Sequence, residues 1–328
     1  MIRWGILGTA KIAREALVPA IQASENGILK AIASRRPESA ASFAERYDVD
    51  LTFDSYEALL ASNDVDAIYI PLPTSQHIEW SLKALEAGKH VLCEKPIALK
   101  ASQIDQLIEA RDRTGKQISE AFMVTYHPQW HKVRQLLASG AIGALHQVQG
   151  SFAYHLVDPD NMRNQVSLGG GGLLDIGVYP TVTTRFVTGK EPIRVQASIR
   201  RDPEFGTDIA ANCRLDFDDF ELSFYCATQM AARQSMIFHG DKGWIELTAP
   251  FNANAYDSAD VILHDQGNGG EQIWKFRKVD QYQLQVEAFA EQTAGKESEI
   301  FSLENSKANQ SAIDALFAAE HNDGWVQV

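Results

Sequence analysis

A turn of small residues near the start of the chain has the composition of a phosphate-binding loop. It follows a short apolar run, precedes a segment with helical spacing, and reads Gly8-Thr9-Ala10-Lys11-Ile12-Ala13. Small residues let the backbone approach a pyrophosphate, and the free N–H groups at a helix N-terminus favour that anion. The turn fits a dinucleotide fingerprint in which alanine replaces the second and third glycines. It predicts nucleotide contacts from Gly8, Thr9, Ala10, Lys11 and Ile12, and the alternative is a turn that serves packing only.

The second apolar run ends on residues that suit a phosphate rather than a ribose hydroxyl. An NAD site needs Asp or Glu at this place to bind the ribose hydroxyls. This chain has Ser34-Arg35-Arg36 instead. Because arginine offers a planar fork of donors to phosphate oxygens, these residues favour the 2′-phosphate of NADP over NAD. The alternative is a solvated arginine pair before a helix.

A parallel sheet would bring these residues together, and the first third of the chain predicts one. Short strand-like runs alternate with segments of helical spacing. The runs cover residues 2–7, 28–33, 51–53, 67–70, 90–93 and 117–121. Strand–helix–strand units with right-handed crossovers build a doubly wound parallel sheet, which binds ligands at the carboxyl ends of its strands. The predicted fold class is therefore α/β, with an N-terminal doubly wound parallel sheet.

The pattern changes after residue 121. A helix over 128–137 precedes strand-like runs joined by tight turns, and helical spacing returns over 284–293 and 306–319. The runs cover residues 145–154, 193–199, 210–217, 221–227, 234–239 and 244–247. Helix-poor strands joined by tight turns indicate a largely antiparallel open sheet. We predict two domains, residues 1–121 and 122–328.

Composition and charge exclude several classes of protein. The 328 residues include 30 Lys and Arg and 43 Asp and Glu, which gives a formal net charge of −13. Such a chain repels phosphate backbones and anionic lipid surfaces, so neither nucleic acid nor a membrane is an expected partner. Three cysteines without a Cys-x-x-Cys pair argue against a disulfide framework and a zinc knuckle. With no apolar span and no signal peptide, we expect a cytoplasmic protein.

Other catalytic motifs give no competing prediction. His127 and His131 have the i, i+4 spacing of a metal pair, but no third ligand with suitable spacing accompanies them. A turn at the start of a helix explains them better, so we predict no metal site. The chain also lacks a Gly-x-Ser-x-Gly elbow and a Walker-type loop, which argues against serine hydrolases and NTP hydrolases.

Two further blocks carry the most specific pattern in the chain. The first, after the fifth predicted strand, reads Glu94-Lys95-Pro96. The second reads Gly169-Gly170-Gly171-Gly172-Leu173-Leu174-Asp175-Ile176-Gly177-Val178-Tyr179. With the first turn and the residues from Pro71 to His77, these blocks make the chain resemble the glucose–fructose oxidoreductase / inositol dehydrogenase family (Gfo/Idh/MocA). The resemblance spans nearly the whole chain.

This resemblance implies an NADP-binding Rossmann domain over residues 1–121 and a substrate-binding and oligomerisation domain over residues 122–328. It implies that Lys95 is the active-site lysine beside the nicotinamide and the substrate hydroxyl. Many members have histidine where this chain has Tyr179. A tyrosine there is similar to the branch that holds dimeric dihydrodiol dehydrogenase, D-xylose dehydrogenase and glucose–fructose oxidoreductase. Asp175 matches the family's carboxylate near the sugar hydroxyls.

The chemistry of these residue types agrees with the resemblance. Oxidising an alcohol removes a hydride, which the cofactor takes, and a proton, which a side chain must take. A free tyrosine, with a pKa near ~10, is a poor base at neutral pH, but a nearby ammonium favours the phenolate. We therefore assign Tyr179 as the acid/base, and Lys95 as the group that lowers its pKa and binds the substrate oxygen.

The resemblance also implies a wider set of contacts. On the cofactor side these are Pro71, Leu72, Thr74, His77 and Glu94, of which Glu94 orients the backbone and Lys95. On the substrate side they are Tyr126, Asn161 and Arg163, although a surface-loop role is the alternative for Asn161 and Arg163. Many relatives have arginine where this chain has Thr125, so that substrate contact differs here.

The expected function is hydride transfer between NADP and a hydroxyl of a sugar or a cyclic diol or polyol. Oxidation of an aldose at C1 to the lactone is the leading reaction, beside oxidation of a trans-dihydrodiol. The same site could run backward with NADPH as a ketosugar or anhydrofructose-type reductase. From other classes, an NAD-dependent glycosidase would favour an acidic residue after the second strand, and a non-catalytic sensor could lose Lys95 and Tyr179. An open sheet face favours a homodimer or homotetramer.

Overall fold

The computed structural model describes residues 1–267 and 269–328, and this part of the chain forms two compact units. The first unit contains Met1–Met123 and Asp280–Lys307, and the second contains Val124–Val279 and Ala308–Val328. The first unit therefore includes a late segment that the sequence-based boundary at 121 leaves in the second domain. The assignment of nucleotide and substrate to the two domains stays a prediction.

The first unit is built on a parallel sheet, as predicted. In the described residues its strand order is β3-β2-β1-β4-β5-β6, with every neighbouring pair parallel. The strands are β1 (Ile2–Leu7), β2 (Gly27–Ala33), β3 (Leu51–Phe53), β4 (Ala67–Ile70), β5 (His90–Cys93) and β6 (Ile118–Glu120). This is the order of dinucleotide-binding sheets, and the direction of winding reverses between β1 and β4. The ends of these two strands are the expected ligand-binding edge.

Helices cover both faces of this sheet. They are α1 (Val18–Ala23), α2 (Pro37–Tyr47), α3 (Tyr56–Ala61), α4 (His77–Glu86), α5 (Ile104–Thr114) and α8 (Gln281–Thr293). A π-helical turn over Ala13–Leu17 leads into α1. On one face Trp4 packs against Phe289 of α8, with ring centroids 5.3 Å apart. The late segment thus belongs to the first unit because α8 completes this core.

The second unit contains a mixed sheet that is mostly antiparallel, as predicted. Its order in the described residues is β14-β13-β12-β11-β7-β10-β9-β8-β15, and the pair β7–β10 is parallel. The strands are β7 (Leu145–His155), β8 (Arg194–Arg201), β9 (Asp208–Asp216), β10 (Glu221–Ala227), β11 (Gln229–Gly240), β12 (Gly243–Leu247), β13 (Ala259–Asp265), β14 (Glu271–Phe276) and β15 (Val326–Gln327). No expectation from the sequence covered β13, β14 or β15.

Two helices, α6 (Pro128–Ala138) and α7 (Val178–Thr188), pack on one face of this sheet. Strand residues on that face, such as Leu222 and Cys226, are fully buried, whereas Ser223 and Tyr225 alternate with them on the more exposed face. His127 caps α6 by accepting a hydrogen bond from Gln129 N–H at its Nδ1 (3.2 Å). This is the helix-start role predicted for the histidine pair.

The ninth helix, α9 (Leu303–Ala319), begins in the first unit and continues in the second. Within residues 1–267 and 269–328, none of the helices combines the length and the apolar character that crossing a bilayer requires.

Candidate active site

The predicted phosphate-binding turn lies at the carboxyl end of β1. Gly8 has a φ of +89°, which non-glycine residues rarely adopt. A Cβ at Gly8 would lie 3.3 Å from both the Tyr56 hydroxyl and Leu72 Cδ2. Only glycine leaves the space between these groups open, and we call this space the Gly8 cradle. Thr9, Ala10 and Ile12 are half-buried in the turn, while Lys11 is exposed and lies 3.7 Å from Glu15.

The residues after β2 form a neighbouring corner of the same unit. Ser34 is buried, and its Oγ accepts a hydrogen bond from Arg36 N–H at 3.2 Å. Arg35 and Arg36 are both exposed, as a pair of phosphate ligands needs to be. Burial raises the pKa of Tyr56, and the opposing effect comes from the Arg35 guanidinium through charge and hydrogen bonding.

Tyr56 is therefore a residue of this corner that the sequence did not reveal. Its hydroxyl borders the Gly8 cradle and interacts with Arg35. In the sequence it is an apolar-face residue of a helix, and its ring does pack edge-on against Trp80, with centroids 4.9 Å apart. Because the ring serves the core and the hydroxyl faces the turn, no local pattern could separate the two roles.

The loop after β4 carries the predicted nicotinamide-side residues. Pro71, Leu72 and Thr74 are buried, and Thr74 begins a short 3₁₀ turn before α4. His77 is 1% exposed, and its ring nitrogens lie 2.8 Å from the Pro96 carbonyl oxygen and 2.7 Å from that of Leu72. Burial lowers the pKa of His77 to about 4. The histidine thus links the loops after β4 and β5, and a cofactor contact from it stays a prediction.

The Lys95 loop follows β5 and contains a cis Lys95–Pro96 peptide bond. Glu94 Oε1 accepts a hydrogen bond from the Tyr69 hydroxyl (2.5 Å), and Oε2 accepts one from Lys95 N–H (3.2 Å). Burial, followed by the charge of Glu94, raises the pKa of Tyr69 well above its usual value. Glu94 therefore fixes the start of the loop, in the orienting role that the sequence analysis gave it.

A second carboxyl group, which the sequence did not single out, fixes the end of this loop. Glu120 is the last residue of β6 and is buried, and its Oε1 accepts a hydrogen bond from Ile97 N–H at 2.9 Å. Burial raises the pKa of Glu120 to about 7. A carboxylate in a buried strand needs a buried partner, and this is the signal that could have found it.

In the second unit, a carboxylate explains the run of glycines. Asp208 on β9 is 2% exposed, and its Oδ2 accepts a hydrogen bond from Leu173 N–H at 2.6 Å. A Cβ at Gly171, whose φ is +125°, would lie 1.9 Å from Asp208 Oδ1. A Cβ at Gly170 would lie 2.5 Å from the Arg163 carbonyl oxygen. These glycines are required because the carboxylate and a neighbouring backbone occupy their side-chain space.

The Asp208 bond holds the start of the segment that carries Asp175 and Tyr179. A π-helical turn over Leu173–Gly177 leads directly into α7, and burial raises the pKa of Asp208 to about 6. Asp208 lies 29 residues after Tyr179. Nothing in the local sequence therefore connects it to the glycine run.

Asp175 is the centre of a polar cluster in this unit. Its Oδ2 accepts hydrogen bonds from the Tyr154 hydroxyl (2.6 Å) and from Arg163 Nε (2.8 Å). Its side chain is 14% exposed, and that of Arg163 is 41% exposed. Burial and then the Asp175 charge raise the pKa of Tyr154, and the Asp175 charge raises that of Arg163. The structure thus brings together two predicted substrate residues and adds Tyr154, which was missed.

The remaining predicted site residues lie in different local structures of the second unit. Tyr179 is 5% exposed at the start of α7, with its ring centroid 5.5 Å from that of Phe152. Asn161 accepts a hydrogen bond from Arg163 N–H at 3.1 Å and so caps a 3₁₀ turn, and a substrate contact from it stays a prediction. Tyr126 is half-buried in a 3₁₀ turn, and Thr125 beside it is buried.

Comparison with known proteins assigns these two units to a family. A family model described as an oxidoreductase family with an NAD-binding Rossmann fold matches residues 2–122, and a GFO/IDH/MocA C-terminal domain model matches residues 130–246. D-xylose 1-dehydrogenase (NADP(+)) 2 from Haloferax volcanii is 32% identical over 331 residues, which is 99% of each chain. The chain belongs to the Gfo/Idh/MocA family. The resemblance seen in the sequence is confirmed, and the protein is an oxidoreductase.

Two further similarities show the range of reactions among relatives of this Gfo/Idh/MocA protein. A 3-ketoreductase from Actinomadura kijaniata, solved with NADP and TDP-benzene, superimposes with a TM-score of 0.91 at 31% identity and covers 97% of each chain. Trans-1,2-dihydrobenzene-1,2-diol dehydrogenase from Bos taurus is 30% identical over 253 residues, which is 76% of this chain and 75% of the bovine enzyme. The similar proteins are thus named as a dehydrogenase of D-xylose, a 3-ketoreductase and a dehydrogenase of a cyclic diol.

Proposed function

We propose that this protein is an NADP-dependent dehydrogenase that oxidises an aldose at C1 to the lactone. The observation that carries the proposal is the pair Asp175 and Tyr179. They are four residues apart, Asp175 in the π-helical turn and Tyr179 in the first turn of α7, and Tyr154 and Arg163 fix the Asp175 carboxylate. A fixed carboxylate can accept hydrogen bonds from adjacent hydroxyl groups while a neighbouring phenol exchanges a proton with one of them. This combination suits a polyhydroxyl substrate.

The first unit would hold the nucleotide. The Gly8 cradle, which any Cβ would fill, fits a pyrophosphate, and it lies at the end of β1, where the winding of the sheet reverses. The exposed Arg35 and Arg36 fit a 2′-phosphate and give NADP its preference over NAD. We further propose Thr9, Ala10, Lys11, Ile12, Pro71, Leu72, Thr74 and His77 as residues of this site.

The proton transfer is carried out by side chains of the protein. Bound NADP would supply the hydride acceptor. Tyr179 accepts the proton of the substrate hydroxyl, and the Lys95 ammonium favours the phenolate form of Tyr179 and binds the substrate oxygen. Glu94 and Glu120 hold the backbone on either side of Lys95, at Lys95 N–H and Ile97 N–H. Tyr126, Asn161 and Arg163 are further proposed substrate contacts.

Two similarities support these roles. The Haloferax volcanii relative is named as an NADP-dependent D-xylose dehydrogenase and matches this chain almost end to end. The Actinomadura kijaniata 3-ketoreductase was solved as variants of one lysine and one tyrosine. Those two residues are separated in sequence by the same number of positions as Lys95 and Tyr179.

A second candidate reaction is reduction of a ketosugar carried on a nucleoside diphosphate. It is favoured by the TM-score of 0.91 to the 3-ketoreductase solved with TDP-benzene. The same side chains would serve, because Tyr179 would then donate its proton to the forming alkoxide. The two candidates differ in direction and in the size of the substrate.

Absorbance at 340 nm with purified protein tests both candidates. The panel contains aldoses, inositols and trans-diols with NADP or NAD, and ketosugars and dTDP-ketosugars with NADPH. We expect NADP-dependent oxidation of an aldose. Turnover of the dTDP-ketosugars alone would transfer the assignment to the second candidate. A protein that binds NADP and turns over none of these substrates would contradict both.

We also propose self-association through the open face of the second unit's sheet. That face presents polar side chains such as Gln149, Ser198, Asn212 and Tyr225 around a cavity of about 830 Å³. A second copy of the chain could bury these hydroxyl and amide groups against each other. Light scattering after size-exclusion chromatography should give the mass of a dimer or a tetramer, and a monomer at micromolar concentration would contradict the proposal.

A further inference from the structure

Glu120 has one hydrogen-bonded oxygen and one unpartnered oxygen. The residue is 3% exposed, and Oε1 accepts the hydrogen bond from Ile97 N–H. Oε2 is buried and has no hydrogen-bond partner among the described residues. Such an atom is unfavourable in either protonation state, because an ionised oxygen lacks a donor and a protonated one lacks an acceptor. Because Glu120 lies beside the Lys95 loop, the charged groups of that loop are the first candidates to offset the cost of burying Oε2.

The groups that face Glu120 come from three elements. From α9, Ser306 lies beside the carboxyl group and favours its ionised form, although its hydroxyl also donates to the Ser302 carbonyl at 3.2 Å. From β5, the Cys93 thiol is coupled to the Glu120 charge. From the loop after β5, the charge of Lys95 favours the ionised carboxylate, and that of Glu94 opposes it. Lys95 is thus the favourable charge in this environment.

Glu94 serves the loop in a different way. Its two oxygens accept from the Tyr69 hydroxyl and from Lys95 N–H, so its hydrogen bonds fix a phenol and a backbone group. Glu120 binds the backbone two residues further on and leaves Oε2 without a donor. Both carboxyl groups therefore hold the backbone of the Lys95 loop, and Glu120 has in addition a buried oxygen without a hydrogen bond.

We propose that Glu120 is a positioning residue for Lys95, which fixes the loop through Ile97 and supplies the buried negative charge that faces the lysine ammonium. The inference rests on the proposed function of Lys95. Since burial raises the pKa of Glu120 to about 7, the carboxyl group loses its charge as the pH falls through neutrality. The enzyme should then lose activity toward acid as Glu120 is protonated.

The first test measures the charge coupling without any turnover. Protein labelled with ¹³C at the glutamate carboxyl carbon is titrated by NMR, and the Glu120 signal is the one absent from Glu120→Gln. We expect it to titrate near pH 7 and to move to a higher midpoint in Lys95→Met, because a favourable positive charge is removed. An unchanged midpoint in Lys95→Met would overturn the inference.

The second test measures the pH dependence of kcat/KM. Glu120→Gln keeps a carbonyl oxygen for Ile97 N–H but carries no charge, so we expect about tenfold lower kcat/KM at pH 8 and loss of the decline centred near pH 7. KM for NADP should not change. Glu109→Gln, at an exposed site on α5, is the matched control and should reproduce the wild-type profile.

The outcomes separate this inference from the proposed function. A Glu120→Gln profile that overlays the wild-type profile would overturn the inference even though the enzyme is active. Equal losses of folding and of NADP binding in Glu120→Gln and Glu120→Ala would reduce Glu120 to a structural residue and would also overturn it. If the wild type turns over no sugar, the proposed function fails, and the NMR coupling alone decides whether Glu120 and Lys95 share a charge.

Discussion

The loop that carries Lys95 and the helical segment that carries Tyr179 are held by the same kind of hydrogen bond in different surroundings. In the first unit Glu120 accepts a hydrogen bond from Ile97 N–H, and in the second Asp208 accepts one from Leu173 N–H. Both carboxyl groups are buried, and burial raises their pKa values to about 7 and about 6. Each unit thus uses a distant carboxyl group to fix a short backbone segment.

The difference lies in what else each carboxyl group touches. Asp208 occupies the space of a side chain at Gly171, so shape fixes the second loop. Glu120 leaves Oε2 unpartnered and is coupled to the charges of Glu94 and Lys95, so charge dominates the first loop. We therefore expect substitutions that add a side chain to destabilise the second unit most. Substitutions that remove a charge should affect the first unit most.

The largest expected effect comes from removing the proposed acid/base Tyr179 or the lysine that acts on it, Lys95. Lys95→Met and Tyr179→Phe should each lower kcat by about 10² to 10⁴, because each removes a group that acts on the transferred proton. NADP affinity, measured by fluorescence titration, should stay within about twofold of the wild type, since neither change touches the Gly8 cradle. Lys296→Met and Tyr256→Phe, both at exposed sites, are the matched controls. Near-normal turnover in either active-site variant would remove that residue from the proposed mechanism.

The next effect tests the steric half of the comparison. Gly171→Ala would place a Cβ 1.9 Å from Asp208 Oδ1 at a φ of +125°, so it should lower the free energy of unfolding by about 3 kcal/mol or more. Gly115→Ala also has a positive φ, +67°, but meets no atom within 4 Å and should lower it by about 1 kcal/mol. Urea denaturation measures both. Equal losses would show that backbone strain, and not the carboxylate, explains the glycine.

A smaller effect concerns stability against pH. A raised carboxyl pKa means that the folded state binds the proton more tightly than the unfolded chain does. The contribution of each protonated carboxyl group to the free energy of unfolding is therefore greatest below pH 4. It is lost as the pH rises through about 6 for Asp208 and about 7 for Glu120. Relative to the wild type, Asp208→Asn and Glu120→Gln should each gain about 2 to 3 kcal/mol between pH 4 and pH 8.

Denaturation of both variants at a series of pH values measures this change. We expect the relative gain in the free energy of unfolding to be centred at different pH values in the two variants, and at the lower pH in Asp208→Asn. Parallel stability curves for the wild type and both variants would mean that neither carboxyl group has a raised pKa.

The smallest effect lies at the nucleotide corner. Tyr56→Phe removes the hydroxyl that interacts with Arg35 and keeps the ring that packs on Trp80. We expect NADP to bind about fivefold more weakly, as for loss of one ordinary hydrogen bond, while NAD affinity stays the same. Titration calorimetry with both nucleotides measures this. Tyr47→Phe, whose hydroxyl donates to the Arg14 carbonyl, is the matched control, and an equal loss for NAD and NADP would contradict a role toward Arg35.

Much of the fold is readable from local sequence. Parallel strands buried on both faces give continuous apolar runs, so β1, β2, β4 and β5 stand out. Ser55 is a serine directly before a segment with helical spacing, and its Oγ caps α3 by accepting a hydrogen bond from Ala58 N–H at 3.2 Å. By contrast, β14 is mostly exposed and β15 has two residues, so neither carries an apolar signal.

The candidate site was readable only where its residues act within one short segment. The Gly8 turn, the Lys95 loop and the Asp175–Tyr179 block are such segments. Glu120, Asp208 and Tyr154 act across the fold on backbone or side chains far away in sequence, so their spacing carries no information. The expectation that a buried carboxylate must have a partner is the physical rule that comes nearest to finding them.

The packing of Trp4 on Phe289 has a consequence for synthesis on the ribosome. The strand β1 is covered on one face by α8, which is translated long after β1 and, among the described residues, after every strand of the second unit's sheet except β15. Until then, the apolar side chains of Trp4, Ile6 and Ile32 lack part of their final cover. The core of the first unit therefore stays incomplete while residues 124–279 and then α8 are synthesised. During this interval the unit has the greatest need of a chaperone.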